Sequence, residues 1–247
     1  MAQPEPLTPL AEDWQRALAV VAHPDDLEFG AAAAVARWTR QGKEVTYCLL
    51  TSGEAGIDGI PPERSRVLRE EEQRASAAVV GVSAVEFLGL PDGLLEYGVP
   101  LRRAIAAVVR RHRPDVVLTN NFRETWDGGD TLNQADHIAC GRATLDAVRD
   151  AGNRWVFPEH LTDGTQPWSR VREVWAACSP AARHGVDVTA SFEAGVASLR
   201  AHGAYLSGLG DGSFDAEEFL EGMARPAGTR LGVRYGAAFE VFRIDLA

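Results

Sequence analysis

Four short runs of branched and apolar residues, ALAVVA (17–22), EVTYCLLT (44–51), AVEFLGL (84–90) and DVVLTN (115–120), alternate with stretches of helical period. No other feature limits the fold as much. Helices are predicted over LEFGAAAAVARWTRQG, over Arg64 to Val80 and over Val99 to His112, the last stopped ahead of Arg113-Pro114. Strands and helices alternating at this length need right-handed crossovers, which give an α/β, Rossmann-like, mostly parallel sheet with helices on both faces. Ligands meet such sheets outside the carboxyl ends of the strands. Here those ends carry HPDD, TSGEAG, LPDG and TNNFRETWDGGDTLNQADH, so the chemically rich segments share one rim.

The carboxyl half is an elaboration of this core. VREVWAAC (171–178) reads as a strand, VDVT (186–189) as a short edge piece, SFEAGVASLRAHGAYL as one helix capped by Ser191, and the rest as irregular. Without repeat, low-complexity tract or linker, residues 1–247 are expected to be one domain, with residues 1–15 an extended, Pro-rich leader.

Composition removes several classes of function. A net charge of −10 and the lack of any Lys/Arg run argue against a nucleic-acid partner. No apolar stretch has the length of a membrane helix, and MAQPEPLTPLAEDWQR lacks the order of a secretory signal, so a cytoplasmic location and no membrane partner are expected. Cys48, Cys140 and Cys178 are too far apart for a ribbon or disulfide framework and read as core residues. Cys140, three residues after His137, is the one with a geometric claim to be a soft ligand.

His23-Pro24-Asp25-Asp26 sits where the first strand gives way to a helix, and Pro24 suits a first helical turn. An imidazole and a carboxylate three positions apart on a turn can converge on one ion, leaving Asp25 as a spare carboxylate. A catalytic zinc site keeps three protein ligands and an open position, so a third ligand must come from a neighbouring loop. His137, at the start of the helix after the fourth strand, is the leading candidate, and Asp136 beside it suits a group that orients a ligand. The alternative is that Asp25 or Asp26 simply caps the helix, which leaves His23 and the later Asp-His unexplained.

HPDD in AHPDDLEFGA followed by the Asp-His of QADHIACGRATLDAV resembles the LmbE-like or PIG-L family of zinc-dependent N-deacetylases. TSGEAG, VLREEEQRASA, FLGLPDG, HGVDVTASFEAGVASLRAH and the late YGAAF extend the resemblance over nearly the whole chain. It implies a Rossmann-like hydrolase of linear amides that removes acetyl from an N-acetylglucosamine-type unit of a small conjugate. His23, Asp26 and His137 then correspond to ligands of Zn2+, with Fe2+ or Co2+ as other occupants, and Asp25 to the general base. Zinc acidifies water and polarises the acyl carbonyl, which agrees with a carboxylate placed to take the proton. Relatives often assemble into oligomers, which makes a homo-oligomer an expectation too.

The resemblance has two departures. Where the family often has H-x-D-H, this chain has Gln134-Ala135-Asp136-His137, and glutamine can donate to an oxyanion but cannot exchange a proton near neutral pH. The late helix lacks the family's Lys and Ser-Gln, so His202 is given a structural role. Arg69, Asp92 and Glu54 are candidates for substrate contact, each with a bland reading as ion-pair or turn residue. Trp126, Trp155, Trp168 and His160 lie in irregular polar segments, where they either stack on sugar or anchor loops. His112 and His184 are read as surface or cap residues without acidic company. The rivals are an amidase releasing a larger acyl group, an inactive sugar-binding relative and a nucleotide-binding module. The last lacks G-x-G-x-x-G after the first strand, and the missing G-x-S-x-G also disfavours a serine hydrolase.

Overall fold

The computed structural model describes residues 5–244 apart from 127, 163 and 210–212. In chain order the elements are β1 (Thr8–Pro9), β2 (Arg16–Val21), α1 (Ala32–Arg40), β3 (Glu44–Leu49), α2 (Pro62–Val79), β4 (Ala84–Phe87), α3 (Val99–His112), β5 (Val116–Asn120) and α4 (Ala135–Gly152), then β6 (Glu173–Ala177), β7 (His184–Asp187), α5 (Phe192–Arg200), α6 (Gly203–Ser207), α7 (Ala216–Leu231) and β8 (Gly236–Arg243). They build one eight-stranded sheet of order β1-β7-β8-β6-β5-β2-β3-β4. Every pair is parallel except those of β8, which runs antiparallel to both β6 and β7. The mostly parallel α/β expectation holds.

β2 shows why an unbroken apolar run suits this place. Successive side chains of a strand point to opposite faces, and helices cover both faces here. Ala17, Ala19 and Val21 enter one core with Trp14, Trp38 and Val196, while Leu18, Val20 and Ala22 enter the other with Ile105, Ala143 and Val148. From β2 the chain winds through β3 to β4, then crosses back to β5 on the other side of β2. That reversal opens a crevice at the carboxyl end of β2.

Several sequence expectations change. Residues 5–15 belong to the sheet and core: β1 pairs with β7, and Trp14 is buried edge-on against Trp38 and Trp175 at 5.3 and 6.0 Å between ring centroids. The strand expected at 186–189 lies at His184–Asp187 and is flanked by β1 and β8. The single helix from Ser191 is two, broken at His202, and the Ser191 hydroxyl donates to the Val188 carbonyl instead of capping α5. The supposedly irregular end holds α7, whose Asp215 carboxylate accepts from the Glu217 and Glu218 amides, and the eight-residue β8. None of the described helices is long and apolar enough to cross a membrane.

Candidate active site

HPDD does not open a helix. Residues 24–31 form turns, and α1 begins only at Ala32. Asp25 has φ 87°, a left-handed conformation that costs a non-glycine residue about 1–3 kcal/mol and persists only where its surroundings impose it. Gln73 of α2 imposes it by accepting the Asp25 amide at 2.9 Å. Gln73 also donates to the buried Glu28 carboxylate, which takes the Ser76 hydroxyl at 2.7 Å and lies 3.8 Å from the His202 ring. His202 thus closes a buried brace behind the turn, and its neighbourhood lowers the pKa of Glu28 despite burial.

The turn and the first residues of α4 bring three ligand atoms together. His137 Nε2 stands 2.9 Å from Asp26 Oδ1 and 3.2 Å from His23 Nδ1, which is 3.8 Å from Asp26 Oδ1. An ion bound tetrahedrally at about 2.0–2.1 Å separates its ligands by about 3.3 Å, within the range of this triangle. The outer ring nitrogens face acceptors. His23 Nε2 lies 3.0 Å from Asp92 and 3.3 Å from Asp136, and His137 Nδ1 lies 2.9 Å from Asn133 Oδ1. Asn133 has its amide nitrogen bonded to the Asn121 and Arg123 carbonyls, so its oxygen must face His137. With the outer nitrogens donating, both inner nitrogens turn lone pairs towards Asp26, an arrangement that a cation resolves.

Electrostatics favours the same occupant. Burial opposes a charge on His23, yet hydrogen bonds to Asp136, Asp26 and Asp92 outweigh it and raise its pKa. Burial likewise opposes ionisation of Asp26, but the neighbouring histidines hold its carboxyl well below the usual range. A second group, His23 with Asp92 and Asp136, also has ligand atoms close together. Its carboxylates are otherwise engaged: Asp136 accepts from the Gly93 and Leu95 amides and Asp92 from Ala55. Cys140 is buried away from the cluster, its thiol 3.7 Å from the Val20 carbonyl.

Asp25 points aside from the triangle. Its Oδ2 meets Arg69 Nη2 at 2.7 Å, and burial lifts its pKa to about 7 against the pull of that guanidinium, with Asp26 adding to the rise. Arg69 is only 2% exposed, also donates to the Pro24 and Gly53 carbonyls, and stacks on the Tyr205 ring at 4.0 Å. Gly53 and Gly56 explain TSGEAG: a Cβ on either would lie 2.5 or 2.3 Å from Arg69 Nη1.

A cavity of about 700 Å3 opens over this cluster, lined by His23, Asp25, Asp26, Asp92, Gln134 and His137, with Arg69 and Tyr205 also on its wall. Asp136 lies behind His23 and off the wall. Glu54 is also off the wall. Its carboxylate pairs with Arg66 and accepts from the Ser52 and Asp92 amides, so it braces the loop that presents Asp92. Glu70 and Glu72 tether α2 by accepting from the Ser52 hydroxyl and the Ala204 amide.

Of the aromatic candidates only Trp126 lines the cavity, edge-on to His137 at 5.4 Å. Trp168 is buried and donates to Pro114, His160 sits beside Arg110, and Trp155 is exposed. His112 does have acidic company, 3.0 Å from Glu86. Asn133, Gln73 and Tyr205 were not anticipated. Asn133 alone had a sequence signal, four residues before His137 at the entry to a helix.

Two curated relatives are similar in sequence. The diacetylchitobiose deacetylase of Thermococcus kodakarensis is 29% identical over 77% of this chain and 70% of its own length. The 1D-myo-inositol 2-acetamido-2-deoxy-alpha-D-glucopyranoside deacetylase of Geodermatophilus obscurus is 30% identical over 72% of this chain, which spans just 66% of that relative. Among solved structures, N,N'-diacetylchitobiose deacetylase from Pyrococcus horikoshii, complexed with an inhibitor, superposes with a TM-score of 0.85. It covers 94% of this chain and 85% of its own at 23% identity, a likeness of fold. The family model described as PIG-L, GlcNAc-PI de-N-acetylase, matches residues 18–148, more than half of the chain, and the chain belongs to that family.

Proposed function

We propose that this chain is a divalent-metal-dependent amide hydrolase that removes the acetyl group from an N-acetylglucosamine-type unit of a small conjugate. One observation supports it above the others: two imidazole lone pairs and a carboxylate oxygen converge within 3.8 Å of one another beside a buried spare carboxylate. The names of the two sequence relatives supply the acetylated amino sugar. His23, Asp26 and His137 would hold the cation, and this nitrogen and oxygen donor set suits Zn2+, with Fe2+ and Co2+ also able to occupy it.

A cation there would acidify water and polarise the amide carbonyl. Asp25 accepts a proton from the attacking water as the O–H bond breaks and the new C–O bond forms. It returns that proton to the amine nitrogen as the C–N bond breaks, leaving acetate and a free amine. A carboxyl lifted to about 7 can do both near neutral pH, and Arg69 fixes its orientation. Gln134 lines the cavity, and its side-chain amide would donate to the oxygen that gains charge, a task needing a donor and no exchangeable proton. Asp136 and Asp92 set the His23 ring. Asp92 and Arg69 both stand on the cavity wall and are suited to a sugar hydroxyl, Arg69 while also holding Asp25.

Asp25→Asn tests this. It keeps size and the left-handed conformation, which Asn tolerates. Release of acetate from a panel of N-acetylglucosaminides should fall by about 10²–10⁴. Elemental analysis should find the metal content of wild type; unchanged turnover removes Asp25 as the base.

A further inference from the structure

Arg69 is buried, yet its hydrogen bonds do not use all that a guanidinium offers. Nη2 donates to the Pro24 carbonyl and to Asp25, each at 2.7 Å, and Nη1 donates to the Gly53 carbonyl at 3.2 Å. Nε is buried without a hydrogen-bond partner among the described residues. A long side chain fastened only at its tip keeps rotamer freedom unless something packs on it. Gly53 and Gly56 give one such restraint, because without a Cβ their loop closes up to the guanidinium. Tyr205 gives another, with its ring centroid 4.0 Å from the guanidinium carbon.

The ring is itself fixed relative to the arginine. Tyr205 belongs to α6, and the Ala204 amide donates to Glu72 Oε1 at 2.6 Å, one turn along α2 from Arg69. α6 starts at His202, which is buried beside Glu28 in the brace behind the HPDD turn. Ring and guanidinium therefore share one register. Burial, with Asp25 adding to it, raises the phenol's pKa, so the ring meets the cation as a neutral group. A cation over an aromatic face gains more as water is removed, and this contact joins a buried guanidinium to a half-buried ring.

A carboxylate that takes a proton from water has to hold one oxygen in place while the other works, and small misplacements of such groups are costly to rate. Asp25 is held through the oxygen that meets Arg69. We propose that Tyr205 is a positioning residue of the hydrolase: by covering Arg69 it keeps the guanidinium on Asp25 and so keeps the base aimed. This rests on the reading of Asp25 as the base and goes beyond it by assigning that aim to a ring on α6.

The experiment follows acetate release from an N-acetylglucosaminide by wild type, Tyr205→Leu and Tyr205→Phe, and by Tyr205→Leu combined with Arg69→Gln. Solvent exchange of the Arg69 Nε–H is read in parallel by NMR of isotope-labelled protein, its resonance being the one that Arg69→Gln removes. Should Arg69→Gln not fold, Arg69→Lys, which keeps the charge without the fork, takes its place. Tyr205→Leu is expected to lower kcat about tenfold with KM changed less than about threefold, the size of a partly desolvated cation–π contact. Tyr205→Phe keeps the ring and should stay within about twofold of wild type, and Tyr205→Leu should cost less than about twofold once Arg69 is replaced, as coupled residues do. The Nε–H should exchange about tenfold faster in Tyr205→Leu, because the cover that protects it is gone. An unchanged exchange rate or an unchanged kcat in Tyr205→Leu overturns the proposal. So does an equal loss in Tyr205→Phe, which gives the task to the hydroxyl, or the same loss with Arg69 replaced. A rise in KM alone overturns it too, since Tyr205 then touches substrate. No turnover by wild type fails differently: it removes the hydrolase reading, and the exchange rates still decide whether the ring holds the arginine.

Discussion

The two sides of the crevice are built on opposite principles. Around HPDD the reactive side chains are held by polar partners: Asp25 by Arg69 and Gln73, His23 by Asp92 and Asp136, His137 by Asn133. Along α7 the side chains at the cavity, Phe219 and Met223, are apolar and partly exposed, and Phe219 rests on the rings of Phe29 and Phe214. Tight bracing fixes atoms that must meet within tenths of an ångström, whereas an apolar wall tolerates exchange of one side chain for another. The first side holds the groups suited to chemistry, and the second is a plain apolar wall.

The contrast can be broken by substitutions of decreasing consequence on the braced side. His137→Ala takes away one of three ligands and is expected to abolish measurable amide hydrolysis and bound metal together; metal retained at wild-type stoichiometry would break the triangle as the binding site. Asp136→Asn leaves the ligands but weakens the acceptor that orients His23. A drop of about 10–100-fold in metal affinity, read by competition with a chelator, is expected from such an outer partner. Glu54→Gln, off the cavity wall and paired to a partly exposed Arg66, should change kcat/KM by less than about fivefold, in line with the small worth of such pairs. A larger loss would return Glu54 to the substrate.

Sequence reading reached the braced side far better than the apolar one. β2 to β5 are continuous apolar runs between clear turn signals, and HPDD and Asp-His carry their chemistry in adjacent letters. α7 hid its periodicity behind Pro226 and Gly228, and β8 mixes Gly236, Glu240 and Arg243 into a strand with two antiparallel partners. Arg69 was expected to touch substrate by the family resemblance, and it does line the cavity; that the same guanidinium also holds Asp25, Pro24 and Gly53 depends on the fold of three separate segments. Gln73 and Tyr205 had no local signal at all, since their importance comes from what α2 and α6 face.

The placement of β8 also dictates an order of events. β1 joins the sheet only through β7, and β7 reaches β6 only across β8. During synthesis residues 5–10 therefore precede β7 and β8 and have no seat until both exist, while β2 to β6 can already assemble. Closing that long loop between β1 and β7 costs more entropy than forming the pairs of β2 to β6, so residues 5–10 are expected to dock late.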